Sequence, residues 1–253
     1  MRRPVAWKGA VASRRPALML ALGLLWAGPA TAAAVRPPPA STCPPASRVR
    51  VLEPEPEPAP PPAAAKPGDY RNRLKPTPLG WPRRDHWCVW VEPPQGSEAE
   101  RVWQRLWLTA VQAALVEWQR HLPITLVEDP GRAQVRLHRL RPPLLGEGRA
   151  RRASHGRALL QLVEVERAGE LGREPRVEVL ISPGQRQEAL QATALHELGH
   201  AFGLWGHSDR SGDAMAAVPG QAPVLVLSER DLATLRWLQA QPALGVPATR
   251  VLP

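Results

Sequence analysis

The stretch His196-Glu197-Leu198-Gly199-His200-Ala201-Phe202-Gly203-Leu204-Trp205-Gly206-His207-Ser208 decides how the rest of the chain is read. His196 and His200 are four residues apart. On a helix they lie on one face, a turn apart, and can aim two imidazoles at one ion. Glu197 follows the first of them and can reach a water at that ion without ligating the metal. Gly203 can take the positive φ that ends a helix, after which the chain turns back and carries His207 toward the same point. Three imidazoles leave the fourth position of a tetrahedral Zn²⁺ open, which is the catalytic arrangement. The competing reading is an ordinary helix with surface histidines. The helix start signal, the terminating glycine and the third histidine together form the context that the metal reading requires.

Working outward, Ser182-Pro183-Gly184-Gln185 reads as the start of that helix, with Ser as cap, Pro in the first position and Gln reaching back. The helix is expected to run into Ala201 and stop at Gly203. Upstream, residues 87–92 alternate like a strand, and Ser97 with Glu100 forms a capping-box signature. Trp103, Trp107, Val111, Leu115 and Trp118 then recur at helical spacing, predicting an amphipathic helix to about His121 whose aromatic stripe faces the core. Short strands are expected at 124–127, 135–140, 159–165 and 177–181. A last helix starts at Ser228, with Asp231 three residues on, and buries Leu232, Leu235 and Leu238. No internal repeat is present. The sum is an α+β domain over 70–245, with one sheet of about five strands and helices before, beneath and after it. A tail follows at 246–253.

On these residues the segment resembles the zinc-binding motif of metzincin peptidases, and within them the matrixins. Met215 stands where matrixins place the methionine of the Met-turn beneath the zinc, and Leu227-Ser228-Glu229-Arg230-Asp231-Leu232 resembles the start of their C-terminal helix. The order of strand, helix, four strands and active-site helix is similar too. The resemblance covers roughly 80–240, specifically over 195–235 and architecturally before that, and small bacterial matrixin-like proteins look most similar. It implies a twisted five-stranded mixed sheet with an active-site helix and a C-terminal helix. It further implies a zinc-dependent endopeptidase acting on polypeptides, with His196, His200 and His207 as ligands, Glu197 as general base, and Gly203 and Met215 as structural residues near the site. The substrate would lie extended along an edge strand, placed at 159–165, with a pocket near 216–222.

The sequence departs from the family pattern in places. The motif H-E-x-x-H-x-x-G-x-x-H sets its third histidine six residues after the second; here Gly206 stands there and His207 is the seventh. One residue adds at most about 3.5 Å of chain, which a loop carrying Gly203 and Gly206 can absorb. Asp209 is the rival third ligand. Glu229 would serve if the site resembled thermolysin's relatives, but its place in the Ser228–Asp231 cap argues against that. No cysteine-switch motif surrounds Cys43, and the only tyrosine, Tyr70, precedes the site. His86, His121, His138 and His155 read as isolated surface or strand residues.

The N-terminal third is different in kind. Residues 35–69 belong to a Pro/Ala-rich segment that includes Glu53-Pro54-Glu55-Pro56-Glu57-Pro58. Proline cannot donate to a ladder or a helix, so the segment reads as an extended, disordered spacer. Residues 1–34 read as a signal peptide: a basic start, an apolar run at 17–27, and Gly28-Pro29-Ala30-Thr31-Ala32 at a small-residue cleavage site. The run falls short of the roughly 20 residues a membrane span needs. An uncleaved anchor is the alternative, and Ser13-Arg14-Arg15 hints at a twin-arginine signal. The protein is therefore expected to be exported, whether secreted, periplasmic or otherwise extracytoplasmic, with no stable membrane span.

The formal charge is +10; Arg2, Arg3, Lys8, Arg14 and Arg15 supply five of it, leaving +5. The other basic residues are scattered among acids without interleaved aromatics, so nucleic acid is not an expected partner. Cys43 and Cys88 read either as one disulfide or as two free thiols. A reading from another class is an exported spacer or binding protein with an inactive peptidase fold. Glu197 separates the two, because structure alone does not call for a carboxylate there.

Overall fold

A computed structural model describes residues 43–53, 64, 66–144 and 154–245. The signal peptide read at 1–34 and the tail at 246–253 lie outside the described residues. Among the described residues six strands are formed: β1 (Ala46–Leu52), β2 (Trp87–Val91), β3 (Ile124–Val127), β4 (Val135–His138), β5 (Gly156–Arg167) and β6 (Glu170–Ile181). Three α-helices accompany them: α1 (Glu98–Gln119), α2 (Gln187–Ala201) and α3 (Glu229–Gln239). The strands make one mixed sheet in the order β1-β5-β6-β4-β2-β3. β3, β2, β4 and β6 run parallel to one another, while β5 is antiparallel to both β6 and β1. The α+β class is as expected, with one strand more than the sequence suggested.

Period-two alternation puts Trp87 and Val89, Val135 and Leu137, and Val177, Val179 and Ile181 on one buried face. α1 and α2 cover that face. Trp107 donates its indole N–H to Ile181 O at 3.2 Å, and Trp118 donates to Leu195 O at 3.1 Å, so two tryptophans of α1 fix the sheet and α2 by direction as well as by area. The Phe202 ring sits between Trp87 and Trp118, with centroids 5.5 and 5.3 Å away. α1 starts at a complete capping box, Ser97 with Glu100, and α3 at another, Ser228 with Asp231. Leu235 and Leu238 of α3 are buried as expected, while Leu232 is half-buried.

The structure corrects four expectations. Trp103 is 75% exposed and takes no part in the core. Every residue of α1 before Trp107 is exposed except the half-buried Gln104, so the helix's first two turns lie outside the core. The short strands expected at 159–165 and 177–181 are the middle of a hairpin of two 12-residue strands. Its two-residue turn, Ala168-Gly169, has positive φ at both positions, a geometry more often marked by Asn or Asp than by Ala. Ser182 does not cap α2. Gly184 takes φ +85°, which turns the chain before the helix, so α2 begins at Gln187 with Arg186 as N-cap.

The fourth correction concerns the spacer. Ala46–Leu52, inside the segment read as disordered, forms β1 and pairs with Leu162 through Arg167 of β5. Cys43 and Cys88 form a disulfide that ties the start of this strand to β2. The edge strand expected at 159–165 is thus covered over its second half. No helix among the described residues is long and apolar enough to cross a membrane.

Because Trp118 is fully buried and bonded to α2, Trp118→Ala should cost about 3–5 kcal/mol of stability. Trp103→Ala, at the exposed overhang, should change it by less than about 0.5 kcal/mol. Denaturant midpoints for the two variants check this. Equal losses would mean that α1 does not project past the core.

Candidate metal centre

Helical geometry puts His196 and His200 on the same face of α2, with ring centroids 4.9 Å apart. Each is aimed by a backbone carbonyl. His196 Nδ1 donates to Ala214 O at 2.8 Å, and His200 Nδ1 donates to Leu204 O at 2.8 Å. With the proton on Nδ1, each neutral ring turns a bare Nε2 toward a common point. His207 completes the group: its Nε2 lies 3.2 Å from His200 Nε2, and one nitrogen from each ring lies within 4.8 Å of the others. Ligand nitrogens around a tetrahedral zinc are separated by roughly 3.3 Å, given Zn–N bonds of 2.0–2.1 Å. The donor set and its carbonyl anchors therefore fit zinc.

The loop that brings His207 into place accommodates seven residues by compaction. Gly203, at φ +106°, ends α2; Gly203 N–H bonds His200 O, and Leu204 N–H bonds Gly199 O. Two tight three-residue turns follow, with Trp205 N–H on Gly203 O and Gly206 N–H on Leu204 O, both at 2.9 Å. These shorten the path from α2 to His207. Trp205 then stacks on His200, and its carbonyl accepts Lys75 N–H at 2.9 Å.

Met215 is fully buried beneath the helix. A Cβ on Gly199 would lie 2.1 Å from Met215 Sδ, so the thioether occupies the space a side chain would need there. The Met215 segment is clamped to the His207 segment, with Ser208 N–H on Met215 O at 2.7 Å and Ala217 N–H on Ser208 O at 3.1 Å. Two buried carboxylates hold the same loop. Asp231 accepts from Ala214 N–H at 2.8 Å, Tyr70 O–H at 2.6 Å and Ser228 N–H at 3.0 Å. Asp213 accepts from Ser208 and Ser228 hydroxyls and from Arg230.

Burial is the main influence on the titrating groups. It lowers His196 and His207, and it takes His200 down to about 3, with neighbouring His196 adding to the effect. Glu197 is pushed up to about 7 by burial, opposed by the Ala158 N–H that its carboxylate accepts and by the charge of Arg157. Glu197 lies against Gly156 at the start of β5 and lines a cleft of about 670 Å³ together with His196. Ser154 to Gly156, one side of α2, and the stretch from Ala214 to Val224 form its walls, so the pocket expected near 216–222 is there.

The structure brings together His196, His200, His207, Glu197 and Met215. Asp209, the rival third ligand, is instead paired with Arg230 at 2.9 Å and Arg73 at 3.5 Å. Glu229 is exposed in the first turn of α3. The four histidines read as isolated all have neighbours: His155 lines the cleft, His138 binds Glu178 at 2.6 Å, His121 lies 3.7 Å from Glu117, and His86 lies 3.9 Å from the Cys88 sulfur. Asp213 carried no sequence signal, and Asp231 read only as a helix cap. The carbonyls of Ala214 and Leu204 are unreadable before folding, since every residue has one. Compared with protein-family models and with curated proteins, the chain matches none.

Gly199→Ala should cost about 1–3 kcal/mol, because its methyl group must displace the Met215 side chain. Gly212→Ala, in open space, should be close to neutral. Thermal unfolding of the two variants tests whether the thioether fills the floor of the centre.

Proposed function

We propose that this protein is an exported zinc-dependent endopeptidase. The observation that carries the reading is the convergence of three imidazole nitrogens beside a buried carboxylate, Glu197, that lines an open cleft. His196, His200 and His207 would hold the ion. Zinc bound there would polarise a scissile carbonyl, acidify a water and offset charge on the oxyanion. Glu197, raised toward neutrality, is suited to take the water's proton on a carboxylate oxygen and to pass it to the leaving amine. The open end of β5 beside it offers backbone groups to an extended peptide, and the cleft offers room for a side chain.

Two further features support the reading. The element order β2, α1, β3 to β6, α2 is the one implied by the matrixin resemblance, with β1 as an addition ahead of it. The Cys43–Cys88 disulfide suits an oxidising, extracytoplasmic setting.

Purified protein should carry about one zinc per chain, and His196→Ala and His200→Ala should each empty the site. Full zinc in both variants would refute the metal assignment. Glu197→Gln should keep the metal and lower hydrolysis of a denatured protein by about 10²- to 10⁴-fold. His207→Ala should lose metal and turnover together, while Asp209→Ala should lose neither. Stoichiometric zinc with no hydrolysis in the unaltered protein would favour the inactive spacer or binding protein.

A further inference from the structure

The outer edge of β5 is divided. β1 covers its second half, with Leu52 opposite Leu162, Arg50 opposite Glu164 and Arg48 opposite Glu166. The first half, Gly156 to Gln161, has no strand on that side among the described residues. That open half is the part against which Glu197 lies.

Alternation fixes which backbone groups face outward. Ser47 Oγ donates to Glu166 O across the edge at 3.2 Å, and Glu166, Glu164 and Leu162 are paired with Arg48, Arg50 and Leu52 of β1. Residues of this parity therefore turn their N–H and C=O to the outer side. Leu160 is the outward position left between Ala158, beside Glu197, and Leu162, which β1 holds.

A peptide added to this edge does best in the antiparallel sense, the more stable ladder and the one β1 already makes there. It would then run in line with β1, its N-terminal side meeting the C-terminal end of β1 at Leu52. With the scissile bond at Glu197, only the stretch opposite 159–161 remains ahead of it, room for roughly three residues.

We propose that β1 is a specificity element that ends the substrate's path along the sheet. The enzyme takes an extended peptide with roughly three residues on the N-terminal side of the scissile bond and gains nothing from a longer one. This rests on the peptidase reading above. β1 suits the task because it contributes little to the core: five of its seven residues are exposed. It is nevertheless held firmly, by the Cys43–Cys88 disulfide and by the pair Arg50–Glu164 at 2.9 Å. An edge strand serving only to protect the sheet would have reason to cover the whole edge, whereas β1 stops opposite Leu162 and leaves the stretch from Gly156 to Gln161, beside Glu197, uncovered by any strand among the described residues.

The test uses the full zinc-loaded chain and nested peptides carrying from about two to about eight residues ahead of one scissile bond, spanning the predicted limit. For the unaltered protein, kcat/KM should rise to about three residues and then stay level. Arg48→Pro/Arg50→Pro removes two N–H donors facing β5 and frees β1 while leaving the core intact. That variant should cleave the three-residue peptide as before, and each further backbone pair should add up to roughly fivefold. Arg50→Pro alone should give a smaller shift in the same direction. Equal gains with length in the unaltered protein and the variant would overturn the proposal, as would a level profile in both. Hydrolysis that ignores β1 refutes this inference alone; no hydrolysis of any peptide by the unaltered protein refutes the peptidase reading with it.

Discussion

The centre depends on a carboxylate that touches no ligand ring. Asp231 is fully buried, and charge taken out of water is costly unless it is well bonded. It accepts from Tyr70 O–H, Ala214 N–H and Ser228 N–H, and it sits in the first turn of α3, where the helix dipole favours a negative charge. One group thereby joins the segment before β2, the loop carrying Met215, and the last helix. Through Ala214 the constraint reaches the candidate metal centre, because the carbonyl of that residue fixes the ring of His196. The same bonding network buries the Tyr70 hydroxyl and pushes its pKa up, so this tyrosine stays neutral and remains a donor.

The polar anchoring explains how a loop with few large apolar residues can be accurate. Between His207 and Met215 the chain has no strand or helix, yet the His207 ring is held with its Nε2 3.2 Å from that of His200. Asp213 and Asp231 supply directional bonds in place of packing, and Arg230 links Asp213 to Asp209 on the outside. Asp209 is thereby engaged away from the three rings, which accounts for His207 rather than Asp209 standing as the third donor.

What was legible in the sequence was local. The spacing of His196 and His200, the two capping boxes, and the positive-φ end at Gly203 each depend on residues within about a turn of one another. What was not legible depends on partners far along the chain. β1 finds its ladder more than a hundred residues away; the alternation of Arg48-Val49-Arg50-Val51 was its only signal, overshadowed by the flanking prolines. The hairpin's turn carries Ala168, which has no special preference for positive φ, so its two strands looked shorter than they are. Trp103 continues the helical spacing of Trp107 and Trp118 into a turn that lies outside the core, and where the core ends is not written in the helix.

Glu197 stands against this background as a costly residue. Its carboxylate is buried, receives one backbone N–H from Ala158, and has the charge of Arg157 for support, without the dense bonding that Asp231 enjoys. A Gln would accept the same N–H without the desolvation penalty of a charge, and an apolar side chain would pack against Gly156 at no electrostatic cost. The neighbouring rings do not need it, since Ala214 and Leu204 already orient them. A poorly compensated carboxylate, oriented into a cleft and one residue from a ring of the candidate metal centre, is the arrangement that the proposed proton transfer calls for, and a scaffold role alone gives no reason for it.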